Sequence, residues 1–137
     1  MRECIRSVRL YSIEIHIYDN CSTDSTFDVV KKYQEFYSFL FYSKNNSNVG
    51  PVFNIKNALS NNTSRYVWLL GDSYFLSKEL IDRFFDEYRD QESDFYVFNL
   101  DSRVRDVSTN VYVDRNDLLE DLGWHMTCLS VILFKTD

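Results

Sequence analysis

Two short polar segments hold the residues that are best suited to chemistry. Residues 19–24 read Asp-Asn-Cys-Ser-Thr-Asp and directly follow a stretch rich in isoleucine. The second segment, Gly71-Asp72-Ser73, directly follows the apolar run of residues 66–70. Carboxylate, amide and hydroxyl groups can hold a polar ligand by hydrogen bonds. Both segments are therefore candidate ligand-binding loops.

The strands that must position these loops can be read from the spacing of apolar residues. Residues 11–18 alternate, with Ile13, Ile15 and Ile17 on one face, which predicts a strand. The continuous apolar run of residues 66–70 predicts a strand that is buried on both faces. Further strands are expected over residues 39–43, 95–98 and 129–134.

Helical patterns lie between these strands. Ser25 is expected to begin one helix, with Asp28 as its partner in a capping box. Gly50-Pro51 opens another, and residues 77–90 form the most amphipathic pattern in the chain. A short helix is expected over residues 116–122 and an extended segment over residues 104–113.

The alternation of strands and helices predicts an α/β fold. Short right-handed crossovers would give a three-layer α/β/α arrangement around a mainly parallel, Rossmann-like sheet. Ligands of such sheets bind at the carboxyl ends of the strands, where both polar segments are expected to lie. The sequence therefore predicts a ligand site at this edge.

Composition limits the other classes of function. The chain has 137 residues, which suits a single domain, and a net charge of −6, which disfavours a nucleic-acid partner. No apolar run reaches the roughly 18 residues of a membrane span. Cys4, Cys21 and Cys128 form no metal-binding pattern and are expected to be free thiols in the cytoplasm.

Three segments, taken in order, resemble the family-2 glycosyltransferases. Residues 17–26 are similar to the family motif apolar-Asp-Asn/Asp-Gly-Ser-Thr-Asp-Gly-Thr, with Cys21 and Ser25 in place of glycines. Residues 48–54 resemble its Asn-x-Gly-x-x-x-Asn segment, and residues 66–72 resemble the strand that leads into its Asp-x-Asp region. The likeness extends to bacterial O-antigen and capsule sugar transferases that carry Trp-Leu-Leu-Gly-Asp-Asp-Asp.

This resemblance implies a GT-A fold and a site for a nucleotide-diphosphate sugar. It implies that Asp19 accepts a hydrogen bond from a uracil-type base, and that Asp72 binds the ribose or helps to hold Mg²⁺ or Mn²⁺. Ser22 and Asp24 would fix the turn and cap the next helix. The complete set of expected donor-binding residues is Asp19, Asn20, Ser22, Asp24, Asn48, Gly50, Asn54 and Asp72.

The sequence departs from the family pattern at the metal site and at both ends. Ser73 stands where the resemblance expects a carboxylate, so metal binding should be weak. The resemblance implies that the usual first strand and the acceptor-binding region lie outside residues 1–137, so a partial GT-A domain is expected over these residues. An inactive fragment is one of the interpretations that this leaves open. Glu120 and Asp121 are interpreted as solvated helix charges, so the catalytic base is unknown.

Two classes of function are therefore open. One is an inverting transferase of polysaccharide biosynthesis, which moves a sugar from a nucleotide-diphosphate donor to a glycan or lipid-linked acceptor. The other is a non-catalytic interaction module that has lost the donor site. A phosphoacceptor regulatory domain ranks lower, because Lys135 is a poor match for the lysine that it needs. A sheet edge left open by the missing strand would favour a homodimer.

Overall fold

The computed structural model describes residues 5, 8–100, 103–105 and 108–136. The chain folds as two compact units, of which the first comprises Met1–Thr63 and Phe75–Gln91. The second comprises Ser64–Tyr74 and Glu92–Asp137. Each unit combines strands with at least one helix, so each is an α/β arrangement in its own right.

The first unit contains two strands and three helices with described bounds. They are β1 (Ile15–Asp19), α1 (Thr26–Gln34), β2 (Leu40–Lys44), α2 (Pro51–Ser60) and α3 (Lys78–Glu87). A 3₁₀ turn, Arg9–Tyr11, precedes β1. The predicted strands and helices of this part of the chain are all present, with their ends displaced by a few residues.

The second unit is built around three strands. Its elements are β3 (Tyr66–Trp68), β4 (Phe95–Val97), α4 (Arg115–Met126), a 3₁₀ turn (Leu129–Val131) and β5 (Ile132–Lys135). Helix α4 is longer than the predicted short helix, and its cap is Asp114, whose carboxylate accepts a hydrogen bond from the Asn116 N–H at 2.7 Å. The described parts of residues 104–113 contain no strand.

Strands β1 and β2 are parallel and paired in a register that decides where the site lies. Ile15 pairs with Leu40, and the pairing continues to Asp19 and Lys44. Because parallel strands end at the same edge, the loops that follow Asp19 and Lys44 leave the sheet side by side. The polar loop of residues 19–24 thus lies beside the loop that follows Lys44. The second predicted polar segment, residues 71–73, belongs to the second unit and is not part of this edge.

The second sheet differs from the predicted direction of pairing. Strand β5 lies between β3 and β4 and is antiparallel to both. The α/β class is confirmed, but "mainly parallel" describes only the β1–β2 pair among the described strands. Apolar spacing shows which residues form a strand and not which way its neighbour runs. The expectation that β3 is buried on both faces is also wrong, since Tyr66–Trp68 are half-buried.

The core of the first unit forms where α1 and β2 meet. Val30 of α1 is 0% exposed, and Leu40 of β2 is buried beside it together with Tyr37. Phe36, which follows Val30 and Tyr33 at helical spacing, is 66% exposed. Helix α1 has already ended at Gln34, so the helical spacing no longer places Phe36 on the buried face.

The start of α1 corrects the predicted capping box. Ser25 occupies the N-cap position but its side chain makes no capping hydrogen bond. Asp24 supplies the cap instead, since its Oδ1 accepts from the Thr26 N–H at 2.9 Å and from the Thr26 hydroxyl at 2.5 Å. Asp24, one residue before Ser25, therefore caps α1 in its place. Capping was the role expected of Asp24.

Candidate functional site

Asp19, the last residue of β1, is a buried carboxylate that is held on both oxygens. The residue is 6% exposed. Its Oδ1 accepts a hydrogen bond from the Ser22 N–H at 2.7 Å, and its Oδ2 accepts from the Tyr42 hydroxyl at 2.5 Å. Asp19 thus anchors the loop that follows it to the neighbouring strand.

These contacts also decide the ionisation of Asp19. Burial raises the pKa of this carboxyl, but the hydrogen bonds from Ser22 and Tyr42 and the charge of Lys44 outweigh burial and lower the pKa below its usual value. Burial and the contact with Asp19 raise the pKa of Tyr42 to about 12. The pair is therefore a carboxylate and a neutral phenol at neutral pH.

The loop after Asp19 takes a backbone conformation that favours glycine. Cys21 has a φ of 71°, in the left-handed region that side chains disfavour. This is the position at which the family motif carries glycine. Lys44 supports the loop by donating from Nζ to the Ser22 carbonyl at 2.6 Å. Ser22 therefore contributes its main-chain N–H and carbonyl groups to the site, and its side chain forms a further hydrogen bond with Asp19.

Four asparagine side chains tie the β1 loop to the loop between β2 and α2. Asn20 Nδ2 donates to Asn48 Oδ1 at 2.9 Å. Asn45 Nδ2 donates to Asn20 Oδ1 at 3.2 Å and to Asn54 Oδ1 at 2.8 Å. Asn54 Nδ2 completes the network by donating to the Tyr18 carbonyl at 2.8 Å. We call this set, Asn20, Asn45, Asn48 and Asn54, the asparagine network.

Main-chain groups at the start of α2 join the same network. The Gly50 N–H donates to Asn48 Oδ1 and the Val49 N–H donates to Asn20 Oδ1, both at 2.9 Å. Gly50 has a φ of 80° and a ψ of 163°, and Pro51 follows it at the start of the helix. A proline suits this position because it has no N–H to leave unpaired.

The structure brings most of the expected donor-binding residues together. Hydrogen bonds connect Asp19 with Ser22, and Asn20 with Asn48, Gly50 and Asn54 through the asparagine network. Asp24 lies in the same loop but is committed to Thr26, which lowers the pKa of its carboxyl through the side-chain hydrogen bond. Asn54 lies inside α2, where its amide binds protein groups at both ends.

Sequence reasoning missed three residues of this edge, namely Tyr42, Lys44 and Asn45. The strand register could have revealed them, because the β1–β2 pairing sets Lys44 opposite Asp19 and puts Asn45 at the start of the next loop. That register depends on a contact between distant segments, which apolar spacing alone does not fix.

Asp72 lies in the second unit, in a turn after β3. Asp72 and Ser73 are exposed, and the turn is closed by a hydrogen bond from the Tyr74 N–H to the Gly71 carbonyl at 3.1 Å. Ser130 anchors the turn, since its hydroxyl accepts from the Gly71 N–H at 3.0 Å. Trp68 Nε1 in turn donates to the Ser130 carbonyl at 2.8 Å.

The residues at this turn do not fit a Mg²⁺ or Mn²⁺ site. Such ions prefer several oxygen ligands, above all carboxylates. Asp72 is the one carboxylate of its turn, with the neutral Ser73 hydroxyl beside it. Over the described ranges of the chain, no three His, Cys, Asp or Glu side chains gather closely enough to hold a metal.

Helix α4 carries Glu120 and Asp121, the acidic pair that the sequence singled out, and also His125. Glu120 and Asp121 are exposed, and they line a shallow hollow together with Asp114 and Asp117. Its carboxylates would repel an anionic ligand such as a diphosphate. His125 is 1% exposed and its Nε2–H donates to the Phe98 carbonyl at 2.9 Å, so it is a core residue.

None of the helices in the described part of the chain is long and apolar enough to cross a membrane.

Comparison with known proteins supplies the family. The profile of the family described as Glycosyl transferase family 2 matches residues 1–134. Abequosyltransferase RfbV of Salmonella typhimurium is 33% identical over 86 residues, which cover 62% of this chain and 26% of that protein. The matching region thus spans about a quarter of this relative. No solved structure matches the chain significantly.

Proposed function

The chain belongs to glycosyl transferase family 2, and on that premise we propose that the edge formed by Asp19, Lys44 and the asparagine network binds a nucleotide-diphosphate sugar. The proposed reaction is transfer of the sugar, with inversion, to a glycan or lipid-linked acceptor in polysaccharide biosynthesis. Family membership carries the GT-A fold with it, as the sequence motifs predicted. A non-catalytic module is the less favoured alternative, because the family and the abequosyltransferase relative are both sugar transferases.

The hydrogen-bonded junction of two loops at the carboxyl end of parallel strands carries this proposal. Ligands of α/β proteins bind at such edges because loop side chains and main-chain N–H groups converge there. Lys44 and Asn48 are exposed at this junction. An ammonium group and an amide both offer N–H donors, which suit the oxygens of a diphosphate and the carbonyls of a base.

Asp19 would contribute chiefly by shaping the loop. Each carboxylate oxygen already accepts at least one hydrogen bond, from Ser22 or from Tyr42. A contact with a base N–H, as the resemblance implies, would use a remaining lone pair. A contact of Asp72 with the ribose stays a prediction: Asp72 belongs to the second unit, in the exposed turn that Ser130 anchors.

Inversion by direct displacement needs one general base to deprotonate the acceptor hydroxyl. We assign no residue to that role. A cytoplasmic location is part of the proposal, and it is supported by Cys21 and Cys128, which are free thiols. The homodimer predicted from an open sheet edge remains a prediction.

Calorimetry with UDP, GDP and dTDP sugars, with and without Mn²⁺, tests the proposed donor site. We expect one donor to bind with a dissociation constant between about 1 μM and 1 mM, the range in which enzyme KM values usually fall. The Asn48→Ala variant should bind it more weakly. Asn57→Ala is the matched control, because Asn57 is exposed on α2 and lies outside the asparagine network.

Two outcomes would count against the proposal. Absence of binding by every donor under both conditions would favour the interaction module. If the Asn48→Ala and Asn57→Ala variants bind the donor equally well, the donor does not bind at this edge.

A further inference from the structure

The direction of every hydrogen bond in the asparagine network is fixed by three main-chain groups. The N–H groups of Val49 and Gly50 can only donate, so the side-chain atoms that face them must be the oxygens of Asn20 and Asn48. The Tyr18 carbonyl can only accept, so the atom of Asn54 that faces it must be the amide nitrogen. Asn54 therefore points its oxygen towards Asn45.

Asn45 connects these fixed groups. Its Nδ2 faces the oxygens of both Asn20 and Asn54, so both of its amide hydrogens are used. Its main-chain N–H also donates to the Asp19 carbonyl at 2.9 Å, which continues the β1–β2 pairing. Asn45 is half-buried. It is therefore a donor-only bridge between the loop after β1 and the first turn of α2.

This arrangement determines which groups remain for a ligand. The oxygens of Asn20 and Asn48 each accept two hydrogen bonds from the protein, which uses both lone pairs. Asn20 retains one N–H, and the amide nitrogen of Asn48 has no partner among the described residues. Both residues can therefore donate N–H groups to a ligand, whereas their side-chain oxygens are fully occupied by hydrogen bonds from the protein.

We infer that Asn45 is a positioning residue, which holds Asn20 and Asn48 in the orientation that presents N–H donors to the acceptor-rich part of a nucleoside diphosphate. The inference rests on the proposed donor site and extends it. Lys44, which is exposed at the end of the adjoining strand, adds a further N–H donor through its ammonium group. The junction would accordingly bind diphosphate oxygens or base carbonyls rather than groups that donate.

The Asn45→Asp variant tests the inference, since it keeps the shape of the side chain and replaces its donor group with an acceptor. The oxygens of Asn20 and Asn54 would then face the new carboxylate, so the two hydrogen bonds that hold them would be lost and replaced by repulsion. We expect affinity for the diphosphate that binds best among UDP, CDP, GDP and dTDP to fall at least about tenfold, or about 1.4 kcal/mol. Asn46→Asp makes the same charge change at the exposed neighbouring position, and its affinity should stay within about twofold of wild type.

A pH series separates this role from general loosening of the loop. Protonation of the introduced carboxyl group restores one donor, so the deficit of Asn45→Asp relative to Asn46→Asp should shrink as the pH falls from about 7 to about 5. The titratable groups of the adjoining strands, Asp19, Tyr42 and Lys44, are common to both variants. Asn45→Ala should bind the diphosphate more weakly than its Asn46→Ala control, by a factor that does not depend on pH. If the Asn45→Asp variant fails to fold, this alanine pair alone tests the role of Asn45.

The outcomes distinguish the two levels of the proposal. If the wild-type protein binds a diphosphate and the position-45 variants bind it as their position-46 controls do, the role of Asn45 is wrong and the donor site stands. If the wild-type protein binds none of the four diphosphates, the donor site and the role of Asn45 are both overturned.

Discussion

The Asp19→Asn variant is expected to lose about 1.5–3 kcal/mol of stability at neutral pH, the usual contribution of a hydrogen bond to a charged group. The buried carboxylate accepts from the Ser22 N–H and from the Tyr42 hydroxyl. A carboxamide has one oxygen, so its NH₂ group must face one of these two donors. The loop after β1 would loosen, and nucleotide affinity should fall with it.

The difference in stability between wild type and Asp19→Asn should depend on pH. The folded-state pKa of Asp19 lies below its usual value. Its contribution to stability is therefore present above about pH 4, the usual pKa of an aspartate, and is lost as the pH falls through the folded-state pKa. Urea unfolding at pH 7 and near pH 3 should show a large difference between wild type and Asp19→Asn that shrinks in acid.

Two further variants sharpen the test of Asp19. Tyr42→Phe removes one of the two hydrogen bonds and should cost less than Asp19→Asn. Asp28→Asn makes the same chemical change at an exposed position in the first turn of α1, and it should have a small effect. The anchoring role would be contradicted if the loss of stability in Asp19→Asn were the same at both pH values. A loss equal to that of Asp28→Asn would also contradict it.

The Gly50→Ala variant is expected to lose about 1–3 kcal/mol, the cost of holding a side-chain residue in a backbone region that is nearly reserved for glycine. Gly50 has a φ of 80° and a ψ of 163°. A Cβ at this position would meet no heavy atom within 4 Å, so the cost is conformational rather than steric. Relief of the strain would shift the Gly50 N–H away from Asn48 and weaken nucleotide binding.

Gly123→Ala is the control for this prediction. Gly123 lies within α4, and a Cβ there would be 3.8 Å from the nearest atoms of Leu119, an ordinary contact. The same substitution should therefore stabilise the protein by about 0.5–1 kcal/mol, because alanine is the better helix former. Thermal unfolding of both variants decides the matter, and a neutral or stabilising Gly50→Ala would show that residue 50 has no special backbone role.

Much of the first unit could be predicted from residue types. Alternation identified β1, and the motif identified the loop at residues 19–24. Asp24 caps α1 as expected, although the capping box at Ser25 was wrong. These features depend on residues that are near one another in the chain, which is why spacing and side-chain chemistry suffice for them.

The interior of the site could not be predicted in the same way. Asn54 was expected to hold the loop or base, yet its amide binds Tyr18 and Asn45, which lie 36 and 9 residues away in the chain. The β1–β2 register, which no local pattern encodes, sets these contacts. The antiparallel direction of β5 and the burial of His125 depend in the same way on distant contacts.

Amide NMR spectra recorded during titration with the nucleotide sugar selected by calorimetry test the donor site most directly. We expect the largest shift changes at residues 19–24 and 45–50, including the side-chain amide groups of Asn20 and Asn48. Changes confined to other segments, such as the acidic hollow along α4, would contradict the location that we propose. A spectrum that no nucleotide sugar alters would contradict the donor site itself.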